Sequence, residues 1–145
     1  MRVVVQRVKE ASVTVADEVI GQIGQGLLIL FGVSKDDTED KTVWMVNKLI
    51  DLRIFADEQG KMNLSLRDVK GQALIVSQFT LYGNCSNGRR PDFFEAGQPD
   101  FAEKCYLKFI KEMQQALGTI QTGKFGAKME VALINDGPIT LILDR

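Results

Sequence analysis

Two short segments carry residue types that could do chemistry. The first, Ser77, Gln78, Phe79 and Thr80, follows an apolar run, and α/β proteins commonly place reactive groups at the end of a buried strand. The second is residues 135–138, which end in Gly137-Pro138. Glycine before proline leaves the backbone free of side-chain bulk, so two successive carbonyls could approach a ligand. Taken singly, the first segment could also be a polar strand end, and the second a hairpin turn.

Histidine is absent from the sequence. Its absence removes the usual general base, the Ser-His and Cys-His nucleophile pairs, and nearly every zinc site. The two cysteines, Cys85 and Cys105, are too few for a disulfide framework and lack the paired spacing of a zinc site. Any reaction must therefore use backbone groups, hydroxyls, carboxylates, lysines or the substrate itself, and nothing in the sequence calls for a metal or other cofactor.

Cationic and aromatic residues form a third and weaker signal. Arg89 and Arg90 lie in a long loop, and Lys124 and Lys128 flank Phe125. An aromatic ring beside cations suits the stacking of an unpaired nucleotide, although scattered lysines are usually only solvated. The net charge of −1 neither favours nor excludes nucleic acid, because binding needs only a local basic patch.

Composition predicts one folded domain over residues 1–145. The chain is 45% hydrophobic and 26% charged, which is typical of a soluble globular protein. The longest apolar run, residues 27–31, is far too short to span a membrane. The first six residues lack the pattern of a signal peptide, so we expect a cytoplasmic protein.

The elements that must position the two segments are strands and two main helices. Residues 27–33 are continuously apolar, which predicts a strand buried on both faces. The N-cap chemistry of residues 36–38 predicts a helix that runs to about Leu52, with Trp44 in the core or an interface. The predicted buried face of this helix consists of Val43, Val46, Leu49 and Ile50. Helical spacing predicts the second helix from Pro99 to Gly118.

The remaining strands are predicted from short runs of β-branched and apolar residues. A loop over residues 81–98 is long for a compact domain, which favours a functional role. The predicted strands cover residues 2–8, 12–15, 19–23, 53–55, 73–77, 119–122, 129–134 and 139–143, with a turn joining the last two.

Six segments in this order and spacing resemble the D-aminoacyl-tRNA deacylases over essentially the whole chain. Any one motif is weak, and it is the ordered set that is specific. The segments are residues 6–8, 60–63, 77–81, 90–91, 122–127 and 135–140. The resemblance implies an α/β fold, with mixed, barrel-like strands and two main helices.

The resemblance also implies an activity, a partner and site residues. The family hydrolyses the ester that joins a D-amino acid to the 3′-terminal adenosine of a tRNA, and it acts as a homodimer. Gly137-Pro138 would be cis and would reach into the partner's site, while Arg7 would help to fix its loop. The 77–80 segment would line the pocket as its catalytic part, with Phe125 and Met129 near the adenosine.

The mechanism expected from these residues relies on backbone groups. An aminoacyl ester is already activated, so the N–H groups of Phe79 and Thr80 would hold the oxyanion while the ribose 2′-hydroxyl helps to activate water. Thr80 as a covalent nucleophile is the competing mechanism. The carbonyls of Gly137 and Pro138 would exclude an L side chain but not glycine. The rival functions are a catalytically silent nucleic-acid-binding protein of the same fold and a small-molecule esterase.

Overall fold

The longest two strands run side by side through the computed structural model, which describes residues 1–145. The chain forms eight strands, two α-helices and a short 3-10 turn. The strands are Arg2–Val15 (β1), Glu18–Ile23 (β2), Gly26–Gly32 (β3), Phe55–Ala56 (β4), Met62–Leu64 (β5), Gln72–Ser77 (β6), Gln121–Thr122 (β7) and Glu130–Asp144 (β8). The helices are Lys41–Ile50 (α1) and Pro99–Leu117 (α2), and the 3-10 turn is Phe79–Tyr82.

The sheet is mixed, with strand order β2-β1-β3-β6-β7. Strands β2 and β3 pair with different parts of one edge of β1, and β8 pairs along the other edge. The pairs that β1 makes with β2, β3 and β8 are antiparallel, whereas β3–β6 and β6–β7 are parallel. Strand β8 has β1 as its only neighbour, so its outer edge is unpaired. The predicted α/β class, with a mixed, barrel-like sheet and two main helices, is confirmed.

Strand β3 is buried on both faces, as predicted. Its residues alternate between two apolar clusters, because successive side chains of a strand point to opposite faces. Leu27, Ile29 and Phe31 belong to the larger cluster, which the helices cover, and Leu28 belongs to the smaller one. In the larger cluster the Phe31 ring stacks on Phe109 of α2, with ring centroids 4.5 Å apart.

The predicted start and buried face of the first helix are wrong in part. Residues 36–38 do not cap it, since α1 begins at Lys41. The carboxylate of Asp37 instead accepts hydrogen bonds from the Met1 amine, the Lys41 ammonium and the Ser34 N–H. Burial favours the neutral carboxyl, but these three bonds outweigh it and lower the pKa of Asp37.

The outward face of α1 carries Val43, which was expected inside, and Trp44, which was expected in the core or an interface. Val43 is 41% exposed, because the helical period brings Met45 into the core together with Val46 and Leu49. Trp44 does not belong to the core of the chain either; its ring lies under the Arg145 guanidinium, 5.0 Å from centroid to Cζ.

The predicted hairpin near the C-terminus is also wrong. Residues 129–134 and 139–143 are not antiparallel to each other, because both belong to β8 and pair with β1 in one direction. The turn-forming residues between them form an irregularity within a single strand. Likewise, the two predicted strands at residues 2–8 and 12–15 are one continuous strand, β1.

The remaining predictions differ from the structure mainly at their ends. The strand expected at residues 53–55 is Phe55–Ala56, and it pairs with Met62–Leu64, a strand that was not predicted. The predicted second helix is confirmed, and it ends at Gly118, whose φ of +84° suits glycine. Neither helix combines the length and the hydrophobicity that crossing a bilayer requires.

Candidate active site

A cavity of about 440 Å³ opens where β3 and β6 end, beside the first turn of α2. Most of its lining is apolar or aromatic, including Phe31, Tyr106 and Val131. The lining also includes five residues that the sequence singled out: Ser77, Gln78, Phe79, Phe125 and Met129. The carboxyl ends of parallel strands are the usual place for a ligand in α/β proteins.

Backbone hydrogen bonds connect the cavity walls to the sheet. The Gln78 N–H donates to the Phe31 carbonyl at 2.8 Å, so the 77–80 segment continues directly from the β3–β6 pair. The Gly123 N–H and the Tyr106 hydroxyl both donate to the Ile75 carbonyl at 2.8 Å. Burial raises the pKa of Tyr106 well above its ordinary value, which keeps the hydroxyl protonated as a donor.

The 3-10 turn presents two unused N–H groups beside the cavity. Phe79 and Thr80 are its first two residues, so their N–H groups have no acceptor within the turn. Neither N–H donates to any other protein acceptor. Phe79 lines the cavity, whereas Thr80 follows it in the turn and is not part of the lining, and the Thr80 hydroxyl accepts a hydrogen bond from the side-chain amide of Gln78.

The polar side chains of the cavity are few and uncharged. They belong to Ser77, Gln78 and Tyr106, and the lining includes no carboxylate, lysine, arginine or thiol. The cavity therefore offers hydrogen-bond donors and apolar surface but no side chain suited to act as a general base at neutral pH.

The second group of predicted site residues forms a bulge in β8. Gln6 pairs with Thr140 and Val8 pairs with Asn135, so Arg7 alone faces the four residues 136–139. The Gly137-Pro138 peptide bond within this bulge is cis, as the resemblance implied. Gly137 and Pro138 are both exposed, on the unpaired edge of β8.

Arg7 connects the bulge to the body of the protein. Its Nε donates to the Asp136 carbonyl at 3.1 Å and lies 3.0 Å from the Asp136 carboxylate. Another guanidinium nitrogen donates to the Ile54 carbonyl, just before β4. The Arg7 side chain is only 12% exposed, so these contacts are largely shielded from solvent.

Asn135 closes the bulge, and the sequence reasoning missed this role. Its Nδ2 donates to the Arg7 carbonyl at 2.8 Å and to the Ile139 carbonyl at 3.0 Å, joining the two ends of the bulge. Asparagine before Asp-Gly is a common turn former, so the sequence alone offered a turn as a sufficient explanation. The role of Asn135 could have been recognised only with the knowledge that Arg7 of β1 lies opposite this segment.

The two groups lie at opposite ends of β3 within one chain. Arg7 pairs with Leu27 near its start, whereas the cavity-lining Phe31 pairs with Val3 near its end. Four residues of strand span about 13 Å. Arg7, Gly137 and Pro138 do not line the cavity, so the chain presents two separate groups.

Comparison with known proteins relates this geometry to a family. A family model described as D-Tyr-tRNA(Tyr) deacylase matches residues 4–144. The chain belongs to this family. A Bacillus cytotoxicus protein named D-aminoacyl-tRNA deacylase is 55% identical over 144 residues, which are 99% of each chain. An Exiguobacterium protein of the same name is 54% identical, over 100% of this chain and 99% of the relative. Like other D-aminoacyl-tRNA deacylases, the protein is a hydrolase.

Solved structures show the same deacylase fold. One named c-Myc DNA Unwinding Element Binding Protein is 42% identical, with a TM-score of 0.94 over 100% of this chain and 99% of the other. A probable eukaryotic D-amino acid tRNA deacylase has a TM-score of 0.88 at 20% identity, over 99% and 98% of the two chains. At that identity the second likeness concerns the fold alone.

Proposed function

We propose that this deacylase holds the aminoacylated 3′-terminal adenosine of a tRNA in the cavity and hydrolyses its ester bond. Phe125 and Met129 would contact the adenosine, and the 77–80 segment would contact the ester. The observation that carries the proposal is the pair of unused N–H groups, on Phe79 and Thr80, beside a cavity without charged side chains. Residues 1–145 act as one deacylase domain, in the cytoplasm, where aminoacyl-tRNA is used.

The proposed reaction uses backbone donors and the substrate's own hydroxyl. Water attacks the ester carbonyl carbon, and the carbonyl oxygen gains negative charge, which the Phe79 and Thr80 N–H groups stabilise. The 2′-hydroxyl of the ribose helps to activate and orient the water. The bond from the carbonyl carbon to the ribose 3′ oxygen then breaks and that oxygen takes up a proton, which releases a free D-amino acid and tRNA.

Thr80 is less suited to act as the nucleophile. A hydroxyl needs an adjacent base to take its proton, and none lines the cavity. The Thr80 oxygen also already accepts a hydrogen bond from Gln78. Both facts support the substrate-assisted mechanism over a covalent intermediate.

A homodimer would bring the two separate groups together. The unpaired edge strand β8 exposes Ile134, Leu141 and Ile142, which are 50%, 39% and 66% exposed. Apolar edges of this kind are usually covered. A two-fold symmetric pair would place each bulge, with the exposed Gly137-Pro138, over the partner's cavity.

Chiral selection would follow from that contact. The carbonyls of Gly137 and Pro138 would occupy the space that an L side chain needs, while a D side chain would point away from them. Glycine has no side chain, so glycyl-tRNA would be hydrolysed as well. Arg7 would contribute by fixing Asp136, the first residue of the bulge.

The name of one solved relative favours a second candidate function. A chain that is 42% identical is named for binding a DNA unwinding element. A protein of this fold that binds nucleic acid without catalysis is therefore the alternative. A small-molecule esterase, which would need no tRNA, is the third possibility.

One assay separates these functions. Purified protein is incubated with D-tyrosyl-tRNA, L-tyrosyl-tRNA, glycyl-tRNA and a simple D-tyrosine ester. We expect hydrolysis of the D-tyrosyl-tRNA and glycyl-tRNA only. Binding of tRNA without hydrolysis would favour the alternative, turnover of the simple ester would indicate an esterase, and rapid hydrolysis of L-tyrosyl-tRNA would refute chiral selection.

A further inference from the structure

We infer that the long loop beside the cavity binds the single-stranded 3′ end of the tRNA, with Phe94 stacking on a base upstream of the terminal adenosine. This inference rests on the proposed function, because it requires the adenosine in the cavity. It assigns a role to residues 84–95 of the long loop, none of which lines the cavity.

The loop is closed on itself at one place and joined to the rim of the cavity at another. Asn84 and Asp92 form a bridge, with N–H to carbonyl distances of 2.9 and 3.1 Å, so residues 85–91 project from the surface. Nearer the cavity, Gly97 donates to the Val33 carbonyl at 2.8 Å, and both residues line the cavity. The C-terminal end of the loop is therefore joined to the rim of the cavity.

Aromatic rings lead from the cavity onto the loop. Phe79 lines the cavity, and its ring meets that of Phe93 edge to face, with centroids 5.0 Å apart. Phe93 is 36% exposed and packs on one side against Gly83, where an added Cβ would lie 2.9 Å from its ring. The next residue, Phe94, is 81% exposed, the highest exposure among the large apolar side chains of the chain.

The charge of the loop fits an RNA strand. Arg89 and Arg90 are exposed, and neither forms an ion pair. The loop also carries two carboxylates, Asp92 and Glu95, of which Glu95 is paired with Lys35. Two unpaired guanidinium groups on the same loop as an exposed ring suit a strand that presents phosphates and bases alternately.

An RNA occupant follows from the continuity of the substrate. A cavity of about 440 Å³ has the size of a small-molecule site, so the chain that precedes the terminal nucleoside must leave across the rim. Stacking on an aromatic side chain does not depend on which base is present, so it can act on the 3′ end of many different tRNAs.

The test compares a long and a short substrate for Phe94→Ala. The kcat/KM for D-tyrosyl-tRNA should fall about tenfold, the effect of losing one base–aromatic stack, and the loss should appear in KM. Hydrolysis of 3′-D-tyrosyl-adenosine should not change, because that substrate ends inside the cavity. Phe94→Trp should retain wild-type KM, and Leu107→Ala, an equally simple truncation of an exposed residue on α2, should leave both substrates unaffected.

A second variant tests the charge. In the double variant Arg89→Gln and Arg90→Gln, the plot of log kcat/KM against log salt for the tRNA substrate should become shallower by about 1.4, as expected for two lost single-strand phosphate contacts. If Phe94→Ala lowered kcat/KM equally for D-tyrosyl-tRNA and 3′-D-tyrosyl-adenosine, or lowered it for neither, the inference would be overturned.

The inference and the proposed function can fail separately. Wild-type protein that hydrolyses neither substrate would refute the proposed function. The loop would then be tested by the affinity for uncharged tRNA, which Phe94→Ala should weaken about tenfold only while the 3′ CCA end is present. Unchanged affinity would overturn the loop's role.

Discussion

The cavity and the bulge are built from different interactions, although both belong to the proposed site. The cavity is shaped by the ends of two buried parallel strands and by apolar side chains that also form the core. The bulge lies on an exposed edge and depends on the polar contacts of Arg7, Asn135 and Asp136. Changes to the core residues that line the cavity, such as Phe31 and Tyr106, therefore affect folding and activity together, whereas the bulge can be altered with the fold retained.

The sharpest way to test this difference is Asn135→Asp, for which we expect the largest effect of any single substitution in the bulge. A carboxylate has nearly the same shape as the amide, but it cannot donate and would face two carbonyl oxygens. Losing both hydrogen bonds should lower kcat/KM for D-tyrosyl-tRNA by roughly ten- to a hundredfold and weaken the rejection of L-tyrosyl-tRNA. Steady-state kinetics with both substrates measure the two effects.

The matched control is Asn47→Asp, the same chemical change on the exposed side of α1, where the side chain makes no hydrogen bond. It should behave like the wild type. If Asn135→Asp also had wild-type kinetics, the bulge would not depend on the two hydrogen bonds of Asn135, and the proposed difference between bulge and cavity would be wrong.

Thr80→Ala should have the smallest effect, because the proposed chemistry uses the backbone of the 3-10 turn. The substitution keeps the Thr80 N–H and removes only a hydroxyl, so single-turnover rates should fall no more than about fivefold. Thr80→Ser serves as the control that keeps the hydroxyl. Near-complete loss in the alanine variant with activity in the serine variant would instead make Thr80 the nucleophile.

Much of the cavity could be predicted from the sequence, because its position follows from local patterns. Polar residues after a continuously apolar run place Ser77 and Gln78 at a strand end, and proline with helical spacing places the helix that begins at Pro99 beside it. The roles of Phe125 and Met129 were implied only by the resemblance, because no local sequence pattern relates these residues to the end of that strand.

Local patterns could not predict the bulge, because its shape depends on a neighbour far away in the chain; the cis bond and the role of Arg7 were implied only by the resemblance. The residues that favour a hairpin turn also fill an irregular strand, and only the pairing with β1 on both sides of Arg7 distinguishes the two. The prediction that residues 36–38 cap the first helix was wrong for a similar reason. Asp37 interacts with the Met1 amine, which local capping rules do not consider.

The central claim is that one chain's cavity works with the other chain's bulge, and mixing two defective variants tests it directly. Phe79→Pro is the cavity variant. It removes one proposed oxyanion N–H at the first position of the 3-10 turn, where that N–H makes no hydrogen bond within the turn. Phe79→Ala is its control, since it keeps the N–H. Asn135→Asp is the bulge variant.

Each variant is assayed alone, and then after the two are refolded together in equal amounts. The account predicts that each alone retains about a tenth of wild-type activity or less and that the mixture recovers about one quarter of it on D-tyrosyl-tRNA, because half of the dimers are mixed and each has one intact site. A mixture no more active than the two variants measured separately would contradict the shared site.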